Sequence, residues 1–530
     1  MNLDRQPRLH RRGFLAGAAA LGLATGVPKG DFAWIAESQA RDTASMLRAN
    51  WDRLAKSLSG PLLRPGDSPF PRFAASFNLA YARQSGRARA IALCGSAADV
   101  ATCINWARDN KVPLVARCGG HSYGGYSNTI GLMIDVSPIR GAHWSKPDEV
   151  TFGAGSRNAN LYAAMRKVGR TATHGRCPTV GAAGFLLGGG IGFNMRLHGI
   201  ASDALTASEI VTADGTVKQL SPIENNDLFW ACRGSGGGNF GINTSFTMKT
   251  FPARKITFFR AVWAGERADM AKVATELMKS FNAAPREVGS RFALTAPNPR
   301  GQNRQFGVNI IGQYQSDEDM SQAVEGLLAP ALRIARNCER VADWPAKAGG
   351  CTYQIRFLDY WTAQTQYLID NDPPFAFHER SAYLTDTLDG DTFDRMSRLM
   401  NGWLGTDDRG AGFAADFRFF QTGGAINDMA PDATAYVHRD NVWLADIGMP
   451  WSAHDSQARV AANIKWHNAF FDELWALKAC NRHAYQNFID PVLRDYAPAY
   501  YGTNLDRLRA IKAKHDPGNL FAFPQQIPRA

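Results

Sequence analysis

The chain has 530 residues, 45% hydrophobic and 20% charged, the make-up of an ordinary globular protein. It is too long for one hydrophobic core, so two or more domains are expected. The 59 basic and 48 acidic residues leave a net charge of +11. Apart from Arg5, Arg8, Arg11 and Arg12, that excess is thinly spread and forms no basic stripe interleaved with aromatics, which argues against nucleic acid as a partner and implies at most a preference for acidic or polar substrates.

The first feature from the N-terminus is an address. Arg11-Arg12-Gly-Phe-Leu15 opens an alanine- and glycine-rich apolar run over residues 14–27. Paired arginines before a short, weakly hydrophobic segment resemble a bacterial twin-arginine export signal. The run is too short for a membrane span and no later stretch reads as one, so no stable membrane association is expected. Residues 1–40 are assigned to this signal and a linker. The twin-arginine translocase is then a partner during export, and the destination is periplasmic or secreted.

Residues 72–250 alternate short apolar runs with helical patterns, and 60–252 are taken as the first domain. A helix is predicted over 97–110, with Ser96 as N-cap, Asp99 three residues on, and one apolar face of Val100, Cys103, Ile104 and Ala107. Residues 113–116 and 132–136 read as short buried strands and 158–168 as a helix. Residues 205–213 and 216–220 form a hairpin about Asp214-Gly215. From 253 to 475 glycine clusters give way to tryptophan, phenylalanine and tyrosine. Amphipathic helices are predicted over 267–281, 319–328 and 456–477, and aromatic strands over 413–420 and 441–448. This second domain is expected to be a large antiparallel sheet covered by helices, making the whole chain α+β. Residues 476–530 read as a closing segment that returns to the first domain.

Eight cysteines form no CxxC metal pattern, and no metal site is expected. Cys94 and Cys103 sit in apolar surroundings and are predicted as core thiols. Cys338 and Cys351 flank a short loop and are the best candidates for pairing in an oxidising compartment. On balance they are expected to stay reduced.

Chemistry concentrates in three glycine-rich turns. Gly119-Gly-His-Ser-Tyr-Gly-Gly125 follows a predicted strand, and its freed backbone N–H groups can curl around an anion such as a diphosphate. The second cluster, residues 181–192, is neither a GxGxxG turn after an N-terminal strand nor a P-loop, which removes the usual nicotinamide and nucleoside-triphosphatase readings. The third is residues 233–241. His121 in the first turn and Cys177 just before the second are both nucleophiles. If the turns converge, two covalent bonds can hold one extended cofactor.

Residues 117–123, 175–181, 187–192, 196–203, 227–231, 233–241, 434–439 and 500–526 together resemble the berberine bridge enzyme-like flavoprotein oxidases of the vanillyl alcohol oxidase superfamily. The resemblance runs from about residue 72 to the C-terminus. It implies a two-part PCMH-type FAD-binding domain followed by an α+β substrate domain. It also implies bicovalent FAD, with His121 on the 8α-methyl and Cys177 on ring carbon 6. Arg117, Gly119, Gly120, Ser122, Tyr123, Val180, Gly181, Gly184, Gly188, Gly189, Gly192, Gly241 and Asn519 are then the cofactor cradle. Valine three residues after the cysteine goes with oxidases in that family, so Val180 implies O2 as acceptor and H2O2 as product. The implied substrate is a small molecule, a sugar or other alcohol.

The substrate side departs from the family. Where relatives carry Tyr-x-Asn-Tyr, with the second tyrosine as base, this chain has Tyr485-Gln-Asn-Phe488. Phenylalanine cannot take a proton, so Tyr485 or Asp446, beside the position of a family glutamate at Ala445, becomes the candidate base. Phe185 replaces a histidine of plant relatives near the flavin, leaving His174 and Arg176 as substitutes. Trp361, Tyr367, Phe420 and Trp443 are candidates for stacking on a substrate ring, against a plain core role. The alternatives are a dehydrogenase or tailoring enzyme acting on a secondary metabolite, and a non-catalytic flavin-binding protein, to which Phe488 gives some weight.

Overall fold

The computed structural model describes residues 49–335, 337–345, 350–407 and 412–529. The paired arginines and the apolar run after them lie outside those residues.

In the first half, local signals set the elements. Helix Ala97–Asn110 begins where the Ser96 hydroxyl accepts the Asp99 N–H at 3.2 Å, a cap that contributes about 1 kcal/mol. It buries the four predicted apolar side chains. Strands Ala90–Leu93, Leu132–Asp135 and Leu114–Arg117 run parallel, and Leu62–Leu63 joins them antiparallel to complete a four-stranded sheet. Leu114–Arg117 runs straight into the His121 turn, which therefore leaves from the carboxyl end of a parallel strand, a common place for ligands. A five-stranded antiparallel sheet follows, and Leu205–Thr212 with Val217–Leu220 is the predicted hairpin, turning through Gly215 at φ 81°.

The second half is built on one eight-stranded sheet. Its order is Glu339–Arg340, Cys351–Leu358, Ile256–Gly265, Phe306–Gln315, Val288–Thr295, Asp416–Gln421, Trp443–Trp451, Ala376–Leu384. All neighbours are antiparallel except the first pair. Helices Arg267–Asn282, Gly390–Met400 and Gln457–Trp475 bury Phe281, Phe393 and Phe470 against Phe259, Phe292 and Phe417 of the sheet. Successive strand residues face opposite ways, so the other face receives Arg291, Arg418 and Asp446, and Arg418 pairs with Asp446 across the register. The chain is α+β, with a large antiparallel sheet under helices.

Sequence patterning gives no warning of the strands Ile256–Gly265, Val288–Thr295, Phe306–Gln315 and Ala376–Leu384. They are largely buried on both faces, so the alternation that marks a half-exposed strand is absent. Cys94 and Cys103 are buried thiols, as expected. The expectation for Cys338 and Cys351 is corrected, because they form a disulfide. Pairing of Glu339–Arg340 with Thr352 and Tyr353 sets the two segments side by side and leaves the Cα atoms 4.5 Å apart, within bridging range.

The halves are locked together. Arg439 forks onto Asp203 with bonds of 2.7 and 2.8 Å, both residues being buried or nearly so. The C-terminal segment closes over the third glycine cluster. There the Lys512 ammonium donates to the Asn239 carbonyl at 2.7 Å and the Tyr501 hydroxyl to the Ser235 carbonyl at 3.0 Å. Among the described residues no helix is long and apolar enough to cross a membrane.

Candidate active site

A cavity of about 410 Å³ is lined by residues from all three glycine clusters, by Arg291, Arg418 and Phe420 of the large sheet, and by residues 485–489. Its floor depends on two glycines. A Cβ on Gly119 would fall onto the Gly181 backbone nitrogen, and one on Gly181 would sit 2.5 Å from the Gly119 nitrogen. Two turns can approach so closely only where neither carries a side chain.

That contact brings the two nucleophiles together. His121 Nε2 lies 2.9 Å from the Thr179 hydroxyl, and Cys177 Sγ lies 3.2 Å from the same oxygen. Phe77 stacks on the imidazole, with ring centres 4.1 Å apart. Burial, then the charges of Arg157 and Arg117, push His121 down to about 4, so its ring is an uncharged nucleophile at neutral pH. The Arg117 guanidinium is itself held by Ala75, Ser127 and Asn128.

Of the expected cradle, Arg117, Gly119, Gly120, His121, Ser122, Tyr123, Cys177, Val180, Gly181, Gly184, Gly192 and Gly241 line the cavity. Gly188, Gly189 and Asn519 are not on its lining. A Cβ on Gly188 would enter the Asn487 carboxamide, and one on Gly189, at φ 108°, would lie 2.9 Å from the Tyr436 ring. Both serve packing. Asn519, at φ 53°, turns the chain after helix Leu505–His515 and donates its N–H to the Asp516 carbonyl at 3.0 Å.

The candidate bases separate. Tyr485 lies on the lining, and its oxygen accepts bonds from the Gly190 N–H at 3.0 Å and the Asn487 amide at 3.1 Å. Burial pushes its phenol up to about 12, against the pull of those donors. Asp446 does not reach the cavity, a second correction. It is fully buried, and Arg418, which does line the cavity, covers it with a 2.8 Å bond from Nε. Burial raises the Asp446 carboxyl against the attraction of Arg418.

His174 is also off the lining. Its Nε2 is 2.8 Å from the Tyr360 hydroxyl and its Nδ1 2.9 Å from the Gly175 carbonyl. Burial pushes it down to about 4, so it is neutral and has no charge to offer a reduced cofactor. Arg176 and Phe185 do line the cavity. Of the stacking candidates only Phe420 does. Trp443 packs edge-on against Phe292, Trp361 lies flat on His174, and the Tyr367 hydroxyl takes a bond from Arg356. Phe488 stacks flat on Tyr123 with ring centres 5.2 Å apart.

Sequence reasoning missed Thr179, Phe77, Arg291 and Arg418. Thr179 carried a signal, lying two residues after Cys177. The other three reach the site only through tertiary contacts.

These residues suit an FAD. The site offers a neutral imidazole and a thiol on one cavity, glycine backbones free to approach a ligand, and an aromatic wall. A family model described as FAD binding domain matches residues 88–221, and one described as berberine and berberine-like matches residues 484–528. A carbohydrate oxidase of Microdochium nivale is 28% identical over 489 residues, covering 88% of this chain and 92% of its own. An FAD-linked oxidoreductase of Bacillus subtilis is 29% identical over 437 residues, covering 81% and 90%. The chain is an FAD-dependent oxidoreductase.

The fold of this oxidoreductase is shared with solved structures along nearly its whole length. BBE-like 1 of Physcomitrella patens superposes with a TM-score of 0.77 at 25% identity, over 91% of this chain and 100% of that one. Glucooligosaccharide oxidase of Acremonium strictum, with a 6-S-cysteinyl, 8α-N1-histidyl FAD, gives 0.74 at 23% identity, over 90% and 98%.

Proposed function

We propose that this protein is an exported oxidase that carries FAD on two covalent bonds, from His121 and Cys177, and oxidises a hydroxyl of a sugar or other alcohol with O2 as final acceptor. The observation that carries the proposal is that His121 and Cys177 both line one cavity and both lie within 3.2 Å of the single Thr179 hydroxyl. The double linkage of the Acremonium enzyme and the sugar substrate named for the Microdochium relative point the same way. Bound FAD would accept a hydride from the substrate carbon and pass the electron pair to O2, giving H2O2.

The chain's own residues supply the rest. Phe77 fixes the plane of the imidazole and Thr179 orients its Nε2 and the Cys177 thiol. Tyr485 takes the hydroxyl proton. Its oxygen accepts two N–H bonds that favour the phenolate, but burial outweighs them and leaves a neutral phenol at rest, which must give up its own proton before it can take one from the substrate. Val180 lines the cavity three residues after Cys177, and a side chain as short as valine there is compatible with O2 as acceptor. Export is supported by Arg11-Arg12 and by the Cys338–Cys351 bridge, since disulfides persist in oxidising compartments.

The test is a denaturing gel viewed under ultraviolet light, with peroxide release measured on the same samples during turnover of sugars and alcohols. Wild type, His121→Ala and Cys177→Ala should fluoresce, and the double variant should be dark. A dark wild type, or turnover without peroxide, would contradict the proposal.

A further inference from the structure

The charged face of the large sheet is mostly self-neutralised. Arg418 donates to both Asp446 and Glu379, and burial of all three is offset by those bonds. Two other arginines on the cavity differ. Arg291 projects from strand Val288–Thr295 and makes one marginal 3.5 Å contact with Asn309. Its Nε is buried and donates to nothing. Arg176, one residue before Cys177, gives its Nε to the Leu368 carbonyl at 2.7 Å and lies over the Phe193 ring. Among the described residues neither guanidinium makes an ion pair, although Asp370 lines the same cavity.

Two partly desolvated guanidiniums on one cavity repel each other. Burial, then the charge of Arg291, push Arg176 down to about 10. Asp370, on the same lining, with Asp372 near Arg176 and Asp416 near Arg291, offsets part of that charge, and an anionic ligand reaching both guanidiniums would offset more. A planar carboxylate fits, because it accepts paired N–H bonds from the guanidinium fork. The cofactor diphosphate does not account for the pair, since Arg176 adjoins the residue assigned to the flavin ring. The same cavity offers Phe488, Phe420 and Tyr123, whose faces suit a ring.

We propose that Arg176 and Arg291 form an anion subsite, and that the substrate is a carboxylate-bearing alcohol, a sugar acid or an aromatic hydroxy acid. This rests on the alcohol-oxidase reading above and deepens it by naming the substrate class. The excess of basic residues in the sequence finds a local use here.

The test uses holoenzyme and matched pairs that differ only in the carboxylate. Galacturonate is set against galactose, and mandelate against 1-phenylethanol. Wild type should show kcat/KM about tenfold or more higher for the acid of at least one pair, and which pair responds identifies the source. Arg291→Met and Arg176→Met should each lower the acid-to-neutral ratio about tenfold, Arg291→Lys less, and the surface control Arg395→Met not at all. Binding is read separately by calorimetry, with benzoate against benzamide. Benzoate should bind wild type more tightly than benzamide, and Arg291→Met should abolish the difference. Equal ratios in wild type and both Met variants, with no preference for benzoate, would overturn the subsite. Failure of every alcohol to turn over would instead count against the oxidase reading, and the benzoate titration would still decide the subsite.

Discussion

The glycine-rich half and the sheet-rich half build their parts of the site by different means. In the first, the backbone does the positioning: Gly119 against Gly181 sets His121 and Cys177 beside one hydroxyl. In the second, side chains on one face of a buried sheet do it. Arg291, Arg418 and Asp446 owe their neighbours to strand register across three chain segments. The first kind of site is fixed by absent side chains and tolerates almost nothing added. The second is fixed by charge balance and tolerates change in shape better than change in charge.

Each substitution below is a way to break that contrast. The largest effect is expected at Tyr485. Tyr485→Phe should keep its covalent flavin and lose about 10²- to 10⁴-fold in kcat, measured by steady-state turnover. A variant as fast as wild type would move the base elsewhere. Next comes the lock between the halves. Arg439→Met strands Asp203 in a nearly buried site and should cost about 3–5 kcal/mol in urea denaturation. Arg395→Met breaks an exposed pair with Glu473 and should cost less than about 1 kcal/mol.

Glycine substitutions then test the first half against the second. Gly181→Ala should destabilise by about 1–3 kcal/mol and reduce flavin content, because the added carbon meets the Cys118 sulfur and the Gly119 backbone. Gly326→Ala, inside helix Ser321–Leu332 with open space around its Cβ position, should stabilise by about 0.5–1 kcal/mol. Matching signs for the two would remove the distinction.

The smallest effect is one of pH. His121 is held near 4 in the folded chain, against about 6.5 when free. The folded imidazole thus stays neutral as pH falls from 7 to 5, while the unfolded one takes up a proton. Stability from this residue is full above about 6.5 and falls on acidification toward 4. The nucleophile itself is unaffected over that range. Covalent attachment in Cys177→Ala apoprotein from riboflavin-starved cells, where only the His121 bond can form, should keep its rate between pH 7 and 5 and slow only on approach to 4, as followed by covalently retained flavin after denaturation.

The same contrast explains what the sequence disclosed. The helix at Ala97–Asn110 and the turns holding His121 and Cys177 were legible because their causes are local: an N-cap, a period of 3.6, glycines at fixed offsets. The Asp446 expectation failed because alternation says which residues share a face but not which neighbour covers them. Here the neighbour is Arg418, 28 positions away in sequence and adjacent only through register. Cys338–Cys351 was misjudged for a like reason, since a two-residue parallel pairing that aligns the cysteines leaves no local trace. Gly188 and Gly189 show that packing glycines and ligand glycines look alike in sequence, since only the structure sets Asn487 and Tyr436 against them.

The central claim is that one flavin is bonded to two residues of this chain. Proteolysis of denatured wild-type protein followed by mass spectrometry tests it directly. The account predicts one species in which the His121 and Cys177 peptides are joined through a single FAD. Flavin on only one of those peptides, or on neither, would contradict it.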